Sequence, residues 1–169
     1  YMNKKSGIGI GELSNVIISN IQAKDVDDTG CSITGLENHP VKNITLENIR
    51  ISFTGGGSSE LIDRKIEELP DAYPEYQMFG MLPSYGFFVR HAENIEFSSI
   101  ELDFMEPEAR PAMIFDDVER LELSGIKART NGVSPVLMFK GVRKSIITSS
   151  MLWEDSPFIL FTGSPSESV

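Results

Sequence analysis

This 169-residue chain contains one cysteine, Cys31, two histidines, His39 and His91, and one tryptophan, Trp153. A lone cysteine makes no internal disulfide, and with two histidines it leaves too few ligands for a zinc centre. Positive charge is also scarce: 15 Lys and Arg stand against 25 Asp and Glu, a formal net charge of -10. That deficit argues against nucleic-acid binding, which needs a cationic field to displace phosphate counterions, and against docking on anionic membranes. No apolar run approaches the ~20 residues of a membrane-spanning helix. The opening residues carry no signal-peptide pattern and residue 1 is Tyr, so the expectation is a chain that is part of something longer.

What the chain has in quantity is repetition. An eleven-residue pattern occurs five times, at Leu13–Ala23, Val41–Ile51, Ala92–Leu102, Val118–Ala128 and Val142–Leu152. Each copy is apolar at its fourth, sixth, ninth and eleventh positions, with Ser145 and Ser150 as lapses in the last. Two alternating pairs around a two-residue bend describe two short strands meeting at a corner. The bend is rich in Asn and Ser, and Asn tolerates the left-handed backbone such a corner needs.

A second pattern leads each copy: Gly7–Gly11, Gly30–Thr34, Gly86–Arg90, Ala112–Asp116 and Val136–Lys140, with a sixth at Phe158–Thr162. Their first positions lie 23, 56, 26, 24 and 22 residues apart. The long interval is one ordinary period plus an insertion of about 32 residues, Thr54–Tyr85. Three short strands per period of about 24 residues predict an all-β fold, a right-handed parallel β-helix of about six coils in a single domain over 1–169. The expected whole is the C-terminal part of a longer β-helix. A leucine-rich repeat shares the period but needs a helical segment in each repeat, and none is visible outside the insertion.

In the leading strands the second and fourth positions predict inward stacks: Ile8 and Ile10, Cys31 and Ile33, Phe87 and Val89, Met113 and Phe115, Leu137 and Phe139, Ile159 and Phe161. Phe115, Phe139 and Phe161 would form an aromatic column, and Cys31 becomes a core residue. The fifth positions point outward and set Arg90, Asp116 and Lys140 in a ladder of alternating sign, either charge pairing or a sugar-contacting strip. The third positions, Gly9, Ser32, Phe88, Ile114, Met138 and Leu160, include four large apolar groups that need a cover. The insertion is the first candidate, through Met78–Leu82 and a short helix predicted over Ser58–Glu68 with Ser58 or Ser59 as its cap. A subunit interface is the alternative.

Several stretches resemble glycoside hydrolase family 28, the polygalacturonase and rhamnogalacturonase group, in its C-terminal coils. They are Gly30-Cys-Ser-Ile-Thr-Gly35, His39-Pro-Val-Lys-Asn-Ile-Thr-Leu-Glu-Asn-Ile49 with the Arg50-Ile51 that follows, Phe53-Thr-Gly-Gly-Gly57, Met78 through His91, and Arg110-Pro-Ala112 through Asp116-Asp117. The resemblance implies a secreted or periplasmic hydrolase of α-1,4-galacturonosyl or rhamnogalacturonan linkages. It would act on pectic polysaccharide with inversion, through paired carboxyl groups ~6.5–9.5 Å apart, and without a cofactor. The family's series Asn-Thr-Asp, Asp-Asp, Gly-His-Gly, Arg-Ile-Lys is absent here, so the catalytic coils are expected upstream of residue 1. The partial matches are Asp27-Asp28 and His39, which stand as the catalytic candidates, and Arg90-His91.

Among aromatic residues that stack on sugar rings, Trp153, Tyr73, Tyr76 and Tyr85 are available, and Tyr85 is best placed beside the leading sheet. Tyr85, Arg90 and His91 form the expected substrate-binding set. Asp25, Asp27, Asp28 and Glu37 offer oxygen ligands of the kind Ca²⁺ takes, but their spacing matches no defined loop and the expectation is no metal. Asn43-Ile44-Thr45 is a formal glycosylation sequon at a corner. A different class of function is a non-catalytic β-helix that binds glycans or assembles with itself, through its open first coil or the Phe88, Ile114, Met138 and Leu160 stripe.

Overall fold

The computed structural model describes residues 10–72, 75–152 and 157–162. The chain is nearly all β: β1 Ser14–Val26, β2 Cys31–Thr34, β3 Val41–Gly55, β4 Phe87–Glu106, β5 Met113–Ala128, β6 Leu137–Lys140, β7 Arg143–Thr148, β8 Met151–Leu152 and β9 Ile159–Thr162. Every pairing between these strands is parallel. The central path runs β1-β3-β4-β5-β6-β9, while β2 pairs β4 and both β7 and β8 pair β5.

The register follows the repeats residue for residue. In the leading strands Cys31 faces Phe87, which faces Met113, then Leu137, then Ile159. In the eleven-residue copies Val16, Ile44, Ile95 and Leu121 form one row, and Ile21, Ile49, Ile100 and Ile126 another. A one-residue slip would turn each of these rows toward water, so the apolar pattern itself fixes the alignment.

Long strands such as β4 are bent, and the bends fall at residues with positive φ. Asn20, Asn48, Ser99, Gly125 and Ser149 occupy the bend read from the sequence. A second column of left-handed residues, Asn15, Asn43, Asn94, Arg120 and Lys144, stands at the third position of each copy. Asparagine suits both columns because its short amide also bonds along the stack. Asn43 donates to Asn15 at 3.0 Å and accepts from Asn94 at 2.9 Å, and Asn48 donates to Asn20 at 2.7 Å. The sequon asparagine is therefore already engaged through both ends of its amide.

The main core lies behind these rows and includes Leu46, Ile49, Phe53, Phe97, Phe115, Leu123 and Phe139. Its aromatic column is longer than the repeats alone suggest: Phe87, Phe97, Phe115, Phe139 and Phe161 follow one another edge to face at 5.2 to 5.7 Å. Each such pair adds about 0.5–1.5 kcal/mol to the area it buries. Cys31 packs against this core, half-buried. Ile10 is exposed, while Ile8 and Gly9 lie outside the described residues.

The insertion forms a strap over the outer face of the leading strands. Ile66, Phe79 and Leu82 close on Phe88, Ile114 and Met138 in a second apolar cluster. These three stripe residues are thereby covered from within the chain and are unavailable to a second copy; Leu160 remains half-exposed. The helix expected over Ser58–Glu68 is reduced to one 3-10 turn, Ser59–Leu61, and Ser58 makes no side-chain capping bond. Farther along, the carbonyls of Ile66 and Glu67 accept from the Arg90 side chain, which ties this part of the strap to β4.

The strap is anchored at both ends by a buried ion pair on the β4–β5 connection. Glu108 accepts from the Gly57 amide at 3.1 Å, and Arg110 donates to the carbonyls of Leu82 at 2.9 Å and Asp28 at 2.8 Å. Any side chain at position 57 would collide with Arg110 and Glu108, so glycine there is required by the close approach.

Candidate functional site

A cleft of about 650 Å³ opens between the strap and the leading strands. The strap contributes Asp63 to Glu68, the turn after β2 contributes Glu37, and the sheet contributes Phe88, Arg90, His91, Asp116 and Lys140. Parallel pairing builds its floor. Arg90 faces Asp116, which faces Lys140, on neighbouring strands, so two cations flank one carboxyl at rung spacings of ~4.8 Å.

Arg90 is 7% exposed. Its two terminal nitrogens serve the Ile66 and Glu67 carbonyls and its guanidinium lies 5.7 Å from the Phe88 ring centroid. Its Nε is buried and has no hydrogen-bond partner among the described residues. A buried donor left in this state is costly, about 1–3 kcal/mol.

Burial pushes the Asp116 carboxyl up from the usual aspartate range, against the opposing pull of Lys140, Arg90 and His91. Asp116 therefore keeps its proton to higher pH than an exposed aspartate. His91, at φ 49 on the corner after Arg90, is held between two carboxylates. Its Nε2 lies 3.0 Å from Glu68 of the strap and its Nδ1 2.8 Å from Asp117 of β5. Arg143 reaches the other Asp117 oxygen at 3.3 Å.

The structure brings together Arg90 and His91 of the expected substrate-binding set and separates Tyr85 from them. Tyr85 is a correction: it is fully enclosed, edge-on to Phe53 at 5.8 Å and Phe104 at 5.4 Å, with its hydroxyl donating to the Arg129 carbonyl at 2.8 Å. No sugar ring reaches it. Tyr76 is exposed on the strap and its hydroxyl accepts from Gln77 at 2.8 Å. Tyr73 and Trp153 lie outside the described residues.

The catalytic candidates do not converge on the cleft. Asp27 and Asp28 occupy the turn before β2, and His39 the turn after it, so the four residues of β2 hold them roughly 13 Å apart along the strand. Asp27 accepts from the Thr29 amide at 2.9 Å and its hydroxyl at 2.7 Å, bonds that hold its carboxyl below the usual range. Asp28 is raised, first by its bond with Asp27 and then by burial. His39 is exposed and closes a tight backbone turn with Leu36. Among the described residues no group of three or more His, Cys, Asp and Glu is arranged to hold a metal ion, and Asp25, Asp27, Asp28 and Glu37 do not gather.

Sequence reasoning missed Glu68 and Asp117 as partners of His91. The signal was present: superposing two successive repeats sets Asp116-Asp117 directly beside Arg90-His91. Glu68 was hidden because it was assigned to a helix.

No family model matches the chain, and no curated protein and no solved structure matches it either.

Proposed function

We propose that this chain is a right-handed parallel β-helix segment of a pectin-active protein, and that the cleft under its strap binds the acidic sugar units of pectic polysaccharide. The observation that carries this reading is the row Arg90, Asp116 and Lys140 on neighbouring strands along the floor of that cleft, two cations about one carboxyl. A uronic acid offers a carboxylate to the cations and hydroxyls to the Asp116 carboxyl, the complement of this set. In-register stacking of five leading strands supports the coiled arrangement, and the resemblance to family 28 hydrolases supports the substrate class and a secreted or periplasmic setting.

In this reading bond cleavage with inversion belongs to carboxylates outside the set Asp27, Asp28 and His39, which lack the paired geometry that mechanism requires. The test is a reducing-end assay on polygalacturonate and rhamnogalacturonan together with a binding titration of short oligogalacturonides. Binding without turnover, weakened at least tenfold by Arg90→Lys, is the expected result. Equal binding of neutral and acidic oligosaccharides would overturn it.

A second reading, end-to-end self-assembly, is favoured by apolar groups at the two outermost strands: Ile17 is 73% and Phe161 71% exposed. Sedimentation over a concentration series separates the two, since self-assembly predicts a mass that rises with concentration.

A further inference from the structure

The charges that line the cleft are unevenly spread. Along its floor Arg90, Asp116 and Lys140 follow one another on β4, β5 and β6, so the row carries one surplus positive charge. Arg90 does not present it. That side chain is buried, and its terminal nitrogens already serve the Ile66 and Glu67 carbonyls of the strap. Lys140 is half-buried, and its ammonium makes no hydrogen bond or ion pair among the described residues. It is the cation on the floor that an incoming carboxylate can reach.

The other end of the cleft is acidic. Glu37 follows β2 and its amide donates to Glu68 of the strap at 3.3 Å, while Glu67 is tied to β4 through its carbonyl. These carboxylates therefore gather at the β2–β4 end, and Lys140 stands two strands beyond Arg90, about 10 Å along the stack. Glu37, Asp63 and Glu67 are exposed and form no ion pair among the described residues. The basic strap residues do not cancel them. Arg64 bonds the Met81 carbonyl, which leaves Lys65 against three carboxylates.

We propose that the cleft selects a backbone in which acidic and neutral sugars alternate, as in rhamnogalacturonan, over an unbroken run of uronic acids. Lys140 holds the single carboxylate, and Glu37 and Glu67 turn away its neighbours. This rests on the cleft being the ligand site, and it names which pectic chain that site takes. When a uronate of homogalacturonan sits on Lys140, the chain extended toward β4 brings a further carboxylate to the acidic end. In the alternating chain a sugar without charge takes that place. The repulsion passes between exposed groups, so it is modest and fades with salt.

The test is a calorimetric titration of the full chain at neutral pH, at low and high salt. The two probes have equal length: an oligogalacturonide, and an oligomer of alternating galacturonate and rhamnose. The alternating oligomer should bind about fivefold tighter at low salt and approach parity at high salt. Glu37→Gln combined with Glu67→Gln should remove most of that preference by raising the affinity for the oligogalacturonide. Lys140→Met should weaken both probes about tenfold, and Lys140→Arg should restore them, which separates lost charge from lost packing. Equal or tighter binding of the oligogalacturonide at low salt, a preference unchanged in the double variant, or full affinity in Lys140→Met would overturn the proposal while leaving the cleft as a ligand site. Binding of neither probe by the wild-type chain would overturn the ligand site itself and this inference with it.

Discussion

The Glu108 carboxylate lies 2.7 Å from the Arg110 Nη2, and neither side chain exposes any surface. Through Gly57, Leu82 and Asp28 this one pair joins the two roots of the strap to the turn before β2. Removing one member leaves a buried charge without its partner, which costs about 3–5 kcal/mol. Arg110→Met should therefore lower the urea midpoint sharply, and the double variant Glu108→Gln, Arg110→Met should recover part of the loss.

The same pair carries a pH signature. Burial pushes Glu108 up, but the hydrogen bonds from Arg110 and the Gly57 amide outweigh it and hold the carboxyl below the usual range. A carboxyl depressed on folding stabilises the protein above its unfolded value, and that stability is lost as pH falls through the folded one. Thermal unfolding followed from pH 6 to pH 2 should show a steeper decline for wild type than for Glu108→Gln.

Asp116 has the opposite sign. Its raised value, caused first by burial, means that the folded state holds the proton more tightly than the unfolded chain. Its contribution is complete below the ordinary aspartate value and is lost as pH rises through the folded one. Asp116→Asn should accordingly melt higher than wild type at pH 7, and the two should converge near pH 3.

Asn43 combines a left-handed backbone, φ 54, with two ladder bonds. Asn43→Ala loses both and should cost about 1.5–3 kcal/mol in chemical denaturation. Asn43→Gly keeps the backbone freedom and should cost less. Equal losses would assign the whole effect to the amide.

Burial pushes the Cys31 thiol up to about 11. The thiolate is the reactive form, so alkylation at pH 8 should be slow in the folded protein and at least tenfold faster in urea.

The parallel pairing, the inward rows and the bend at Asn20, Asn48 and Ser99 were legible because each repeats a two-residue alternation broken at a fixed place. Even the covering of Phe88, Ile114 and Met138 was legible, since three large apolar groups in one outward row demand a partner. The strap itself was not. Its Ile62, Ile66 and Leu69 have the spacing of a helix, yet the segment is held to the sheet by Arg90 at the Ile66 and Glu67 carbonyls and by Ile66 packing on Phe88, Ile114 and Met138. Tyr85 misled for a related reason: a tyrosine at the return of an insertion reads as accessible, and nothing local reveals that the Arg129 carbonyl waits for its hydroxyl in the core. Long-range bonds of this kind leave no periodic trace.

The pinning of both strap ends to Glu108 and Arg110 has a bearing on how this region can change. With its roots fixed, the segment between them is a closed loop, and the entropy of closing a loop grows only with the logarithm of its length. Doubling it costs about 0.6 kcal/mol. Residues added between the two anchors would reshape the rim of the cleft while the strands beneath keep their alignment, so the cleft's outline can drift at little expense to folding.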